Sequence, residues 1–100
     1  MKQRVYISGP ISSDSHYKEH FAQAQKQLQE AGFAVVNPAA MDEVLTDAQY
    51  EEFMFADLHL LVLCDSIYML RGWEQSLGAN REVGFALGCG MQILYEPEEA

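Results

Sequence analysis

The stretch CDSIYMLRGWEQSLGANREVGFALGCG, residues 64–90, decides the fold. It opens with a short apolar strand from Ser66 to Leu70, crosses a polar loop carrying Trp73, and continues as a glycine-bearing helix from Ser76 to Cys89. Such a strand-to-helix passage places ligands at strand ends in α/β folds. On the helix Gly78, Glu82, Ala86 and Cys89 follow at i, i+4, i+8 and i+11, so a carboxylate shares a stripe with small, weakly polar residues. One reading turns Glu82 inward, where desolvation penalises the charge and the carboxylate must be paired or used. The other sets it at the edge of the stripe, paired with Arg81 or solvated. The pattern alone leaves both open.

Working outward, strand and helix alternate through the whole chain. Arg4 to Ser8 (RVYIS) is a strand rich in β-branched and aromatic residues, ended by Gly9-Pro10. Ser12 to Ser15 offer helix N-caps, and Tyr17, Phe21, Ala24, Leu28 and Ala31 fall at helical spacing before Gly32, a natural helix stop. Phe33 to Val36 make a second strand, stopped by Asn37-Pro38. Thr46 and Gln49 are expected to form a capping box for a helix whose apolar face is Tyr50, Phe53, Met54, Leu58 and Leu61, with Asp57 inside it. Gln92 to Tyr95 form the last strand, and the acidic tail Glu96 to Ala100 is expected to fray. The alternation predicts one domain over residues 1–100, an α/β fold with a parallel sheet, helices on both faces and strand order 2-1-3-4. The ligand crevice is then expected beyond the carboxyl ends of the first and third strands, beside Ser8-Gly9-Pro10 and the loop from Arg71 to Ser76.

Six lysines and arginines stand against fifteen acids, and the net charge of −9 opposes broad contact with a phosphate backbone. Nucleic acid is therefore excluded as a partner, whereas one small anion can still be held by local amides and hydroxyls. No stretch approaches a membrane span, and Met1 to Arg4 lead into a strand without a signal-peptide core, so a cytoplasmic protein that binds no membrane is expected. Cys64 and Cys89 show no metal-binding or redox spacing and read as reduced core residues. His16, His20 and His59 have no ligand spacing either, so neither a metal nor another cofactor is expected.

Several motifs together carry a resemblance: Tyr6-Ile7-Ser8-Gly9-Pro10-Ile11, Val36-Asn37-Pro38-Ala39, Asp57-Leu58 followed by Cys64-Asp65, and Ser76-x-Gly78-x-x-x-Glu82 then Gly88. In this order and spacing the chain resembles the nucleoside 2-deoxyribosyltransferase-like family over nearly its whole length. It is most similar to short bacterial and phage members with the signature GWE-x-S-x-GA-x-x-E, here Gly72 to Glu82. The resemblance implies a small three-layer sandwich of the flavodoxin or Rossmann-like kind. It also implies that Glu82 is the nucleophile at the anomeric carbon of a deoxyribose, that Asp57 handles the proton of the departing base, and that Tyr6 orients the nucleophile. The position six before the glutamate meets the sugar or its 5′ group. It is aspartate in the transferases and serine in relatives that hydrolyse deoxynucleoside monophosphates; this chain has Ser76. A phosphate-contacting arginine of those hydrolases has no match, since Pro10-Ile11-Ser12-Ser13 follow Gly9.

The implied chemistry suits these residue types. A carboxylate under the anomeric carbon stabilises an oxocarbenium-like centre and can form a glycosyl-enzyme, while a second carboxyl with a raised pKa protonates the base. Without the resemblance, Asp57 would read as a helix aspartate bonded to nearby backbone, His59 or Lys26. Ser8, Gly9, Ser76 and Gly78 are expected at the substrate with Pro10. Trp73 either stacks on a base or packs over the sheet edge, and Asn37 either touches ligand or serves the turn before Pro38. Asp65 is expected to form a turn or to bond a strand-end amide. Three functions follow as alternatives: cleavage or transfer of an N-glycosidic bond in a deoxynucleoside or its 5′-monophosphate, a non-catalytic nucleotide-binding module, or an interaction protein whose stripe Asn80, Gly84, Gly88 packs a partner helix. A homodimer or larger symmetric oligomer is expected, because so small a sheet leaves apolar helix surface uncovered.

Overall fold

The computed structural model describes residues 2–98, with the backbone alone at Glu43. In chain order the elements are β1 (Arg4–Ser8), α1 (Tyr17–Glu30), β2 (Ala34–Val36), α2 (Tyr50–Leu61), β3 (Ser66–Met69), α3 (Leu77–Gly88) and β4 (Gln92–Tyr95). Short 3-10 segments cover Pro38–Glu43 and Trp73–Gln75. The four strands are parallel in the order β2-β1-β3-β4, with Tyr6 in register with Val36 on one side and Ile67 on the other.

The strands pair in parallel because helices cover both faces. Val5 and Ile7 of β1 and Tyr68 of β3 point to one face, where they meet Phe21, Ala24 and Leu28 of α1. Tyr6, Ile67 and Met69 point to the other, against Leu61 of α2 and Ala79, Val83 and Ala86 of α3. The result is the expected three-layer sandwich. Each large side chain buried this way contributes about 1.5–3 kcal/mol, and truncation of the fully enclosed Phe21 to alanine would cost roughly 3–5 kcal/mol.

Helix ends follow local chemistry. Gly32 has φ 100°, which lets its N–H reach the Gln29 carbonyl and that of Phe33 reach Leu28, closing α1 and turning the chain into β2. At the start of α1 no serine caps the helix; His16 stands at the cap without a side-chain capping bond, its ring beside Glu19, and Asp14 accepts from its backbone N–H. The capping box of α2 lies three residues later than expected. Gln49 is the cap and Glu52 its partner, so Thr46 stays in the preceding turn.

Asp65 takes the expected role, accepting from the Arg4 amide at 2.8 Å. Cys89 does not: it caps the end of α3 and is exposed, while Cys64 is buried, and both are free thiols. The acidic tail departs from expectation at its first residue. Glu96 bonds the Met69 carbonyl through its N–H, accepts from the Arg71 amide at 2.8 Å, and pairs with His20 of α1. Glu99 and Ala100 lie outside the described residues. Among the described residues no helix is long and apolar enough to cross a membrane.

Candidate functional site

A cleft of about 570 Å³ opens beyond the carboxyl ends of β1 and β2, walled by α2 and by the first turn of α3. Strand alternation builds its floor. Because side chains alternate along β1, Tyr6 and Ser8 share the face that looks at α3, opposite to Val5 and Ile7. Glu82 comes down from α3 onto these two hydroxyls. The Tyr6 hydroxyl donates to Oε2 at 2.5 Å and the Ser8 hydroxyl to Oε1 at 2.6 Å, so both carboxylate oxygens are held. Glu82 is only 6% exposed, and its inward orientation settles the alternative left open by the helical pattern. Burial pushes its carboxyl above the usual range, while the bonds from Ser8 and Tyr6 pull it back. The Tyr6 phenol is raised well above its ordinary value, first by burial and then by the charges of Glu82 and Asp57, so it remains a donor.

Asp57 enters the same cleft from α2. Its carboxyl is pushed up to about 7, first by burial and then by the charges of Glu82 and Asp42. The local alternative for Asp57 is not realised: His59 is exposed and its ring donates instead to the Phe55 carbonyl. Two neighbouring carboxyls thus differ in support. Glu82 has two hydroxyl donors that favour its anion, and Asp57 has none among the described residues, so of the two Asp57 has less to oppose its protonation.

Gly9, Ser76 and Gly78 line the cleft as well. A side chain at Gly9 would press its Cβ to 2.8 Å from that of buried Leu70, so the turn out of β1 depends on glycine there. Ser76 is the N-cap of α3, its hydroxyl oxygen accepting from the Ala79 amide at 3.1 Å. Lys18 is the one cationic residue among those lining the cleft.

Four of the expected residues have other surroundings. Ser8 spends its hydroxyl proton on Glu82 and sits beneath the cleft rather than in it. Pro10 is buried beside Gly72. Trp73 is carried away by the turn at Gly72, whose φ is 87°, to a smaller hollow where its ring lies 6.3 Å from that of Tyr95. Asn37 caps the 3-10 turn through Ala39 and donates to Gln25, which is the turn role weighed for it. Conversely, the structure brings Tyr17, Asp42 and Tyr50 to the cleft. Tyr17 donates to Asp42, and Tyr50 lies under the Arg81 guanidinium, which in turn pairs with Glu51 at 2.8 Å. Tyr17 and Tyr50 had been read only as apolar-face residues, and no spacing signals a contact between Asp42 and a tyrosine 25 positions away.

Residues 3–95 match a family model described as a domain of unknown function, DUF4406. Among curated proteins, none matches the sequence. Among solved structures the fold is similar to a 2-desoxiribosyltransferase from Leishmania mexicana, with a TM-score of 0.71 and 16% identity. That similarity covers 93% of this chain and 63% of the other, so the chain spans less than two thirds of its neighbour's length, and at this identity the likeness carries the fold.

Proposed function

We propose that this chain, which belongs to the DUF4406 family, cleaves or transfers the N-glycosidic bond of a deoxynucleoside or its 5′-monophosphate. The observation that carries the reading is the pair of carboxyls in one cleft: Glu82 fixed through both oxygens by Tyr6 and Ser8, and Asp57 raised to about 7. The fold shared with a 2-desoxiribosyltransferase supports the same class of reaction.

In the first step a Glu82 oxygen bonds to the anomeric carbon as the carbon–nitrogen bond breaks. The electron pair goes to the base, and Asp57 supplies the proton that neutralises it. In the second step water or another base attacks the anomeric carbon, the bond to Glu82 breaks, and the incoming group returns its proton to Asp57. Tyr6 and Ser8 hold the carboxylate so that no reorientation is needed when charge develops. Tyr6 acts as a positioning residue, because its hydroxyl is spent on Glu82.

At the 5′ end, Ser76 caps α3 where an aspartate would repel phosphate, and Lys18 offers a cation to the same cleft. A monophosphate is therefore the preferred substrate. The working form is a homodimer or larger oligomer, joined through the exposed α3 face of Leu77, Gly84 and Leu87. Incubation with a panel of deoxynucleosides and their 5′-monophosphates tests the reading by release of free base. No release from any of them by the folded protein, in water or with an added acceptor base, would refute it.

A further inference from the structure

Asp42 has no part in the chemistry above, yet it lines the same cleft. It lies in the 3-10 turn after β2, and its Oδ2 accepts from the Tyr17 hydroxyl at the start of α1. The bond ties turn to helix and fixes how the carboxylate presents itself. Its partner keeps the donor role, since the Tyr17 phenol is pushed up to about 12, chiefly by that same bond. Among the described residues no other side chain bonds Asp42, so Oδ1 retains its acceptor capacity in a residue that lines the cleft.

The three carboxyls reach the cleft from different elements. Glu82 of α3 is bonded to Tyr6 and Ser8 of β1, Asp57 comes from α2, and Asp42 is carried by the turn after the edge strand β2 and tied to Tyr17 of α1. With Glu82 at the sugar and Asp57 at the glycosidic nitrogen, the β2 and α1 side of the cleft, where Asp42 stands, is left for the base. The cleft also takes Ile11, Pro38 and Leu45 into its lining, apolar surface suited to a flat ring.

We infer that Asp42, oriented by Tyr17, selects the leaving base by accepting a hydrogen bond from an exocyclic amino group, so that amino-substituted bases are preferred to their oxo counterparts. This rests on the reading of the site proposed above. A carboxylate can only accept. Against an amino group it gains a charge-assisted bond, while against a carbonyl two acceptors face each other and one polar group is left unpaired. Sites built this way discriminate more sharply than apolar ones do.

The test compares kcat/KM within matched pairs that differ at that group, deoxycytidine against deoxyuridine and deoxyadenosine against deoxyinosine, for the wild type and for Asp42→Asn. The wild type is expected to favour the amino member by about 10-fold or more, and the carboxamide, which donates as well as accepts, to erase or invert that ratio. Any effect of the substitution on Asp57 acts on both members of a pair, so the ratio isolates recognition. Tyr17→Phe, which leaves the carboxylate but frees its orientation, should shift the ratio the same way by less, and it serves if Asp42→Asn does not fold. Base release with no amino preference, or with a ratio unchanged in these variants, overturns the inference and leaves Glu82 and Asp57 untouched. No base release from any substrate overturns the reading of the site itself, and this inference with it.

Discussion

The Tyr6 hydroxyl and the Glu82 carboxylate, 76 positions apart in sequence, meet at 2.5 Å in the buried layer between the sheet and α3. With Ser8 on the other oxygen, the carboxylate has two neutral donors and no cationic partner among the described residues. Such an arrangement costs stability, because hydroxyls offset only part of the desolvation of a charge. A fold that keeps it does so for reasons other than stability.

Glu82→Gln separates the two. The substitution keeps the volume; one hydroxyl can go on donating to the amide oxygen while the other rotates to accept from the new NH2, so packing is retained. Turnover should fall by at least ~100-fold. Because burial raises the Glu82 pKa, the folded state disfavours the anion above the unfolded value; removing the charge should leave the melting temperature at pH 8 equal to or above that of the wild type. Calorimetry beside an assay of base release checks both. A variant that is active, or clearly less stable at pH 8, contradicts this account of Glu82.

Asp57 sets the pH dependence. Its folded pKa of about 7 lies above the ordinary 3.8, so between those values the native state holds a proton that the unfolded chain has released. Its contribution to stability is fully present below the unfolded pKa and is lost as pH rises to about 7. Urea midpoints across that window should carry this decline in the wild type and lose it in Asp57→Asn. Activity should fall above pH 7 as the acid loses its proton, and the variant should lose at least ~100-fold in rate. An activity that keeps rising through pH 8 would remove Asp57 as the acid.

How much of this was legible depended on whether the cause was local. Gly9-Pro10 and Asn37-Pro38 punctuate branched strands, so alternation and the β2-β1-β3-β4 order could be read directly. Glu82 stood out as a carboxylate in a stripe of small residues, a pattern that left its direction open, and Tyr6 was reached only through the family resemblance, while Ser8 was expected at the substrate rather than under Glu82. Tyr17 and Asp42 did not, because a tyrosine at helical spacing with Phe21 looks like core, and its hydroxyl finds Asp42 only after α1 packs on the turn following β2. For Trp73 the pattern left base stacking and packing over the sheet edge both open; the left-handed backbone at Gly72, invisible in a one-dimensional pattern, turns the loop toward Tyr95 of the edge strand β4, the second of the two. Gln49 is a rare N-cap, so a threonine three positions earlier looked more suitable.

The oligomer proposal makes its own prediction. Leu77, Gly84 and Leu87 recur at i, i+7 and i+10 along α3, the two leucines being 69% and 64% exposed, and no neighbour would touch a Cβ on Gly84. Light scattering at micromolar concentration should therefore return at least twice the 11.3 kDa chain mass. Leu87→Asp, at a position 64% exposed in the single chain, should yield a folded monomer. A monomeric wild type contradicts the proposal.

Ser76→Asp tests the 5′ end of the substrate with little risk to the fold. Serine caps α3 by accepting from the Ala79 amide, and aspartate is an equally good cap whose charge also suits the positive end of the helix. Stability should hold or rise by about 0.3–1 kcal/mol. The same charge would stand beside any phosphate entering the cleft and would accept a bond from a free sugar hydroxyl. The wild type should thus favour a 5′-monophosphate over its nucleoside, and the variant should lose that preference by about 10-fold or more, the scale of a charged hydrogen bond. Matched kcat/KM values for one base on both proteins decide it. A wild type that prefers the nucleoside, or a preference untouched by the substitution, removes the monophosphate from the proposal while leaving the Glu82 and Asp57 chemistry standing.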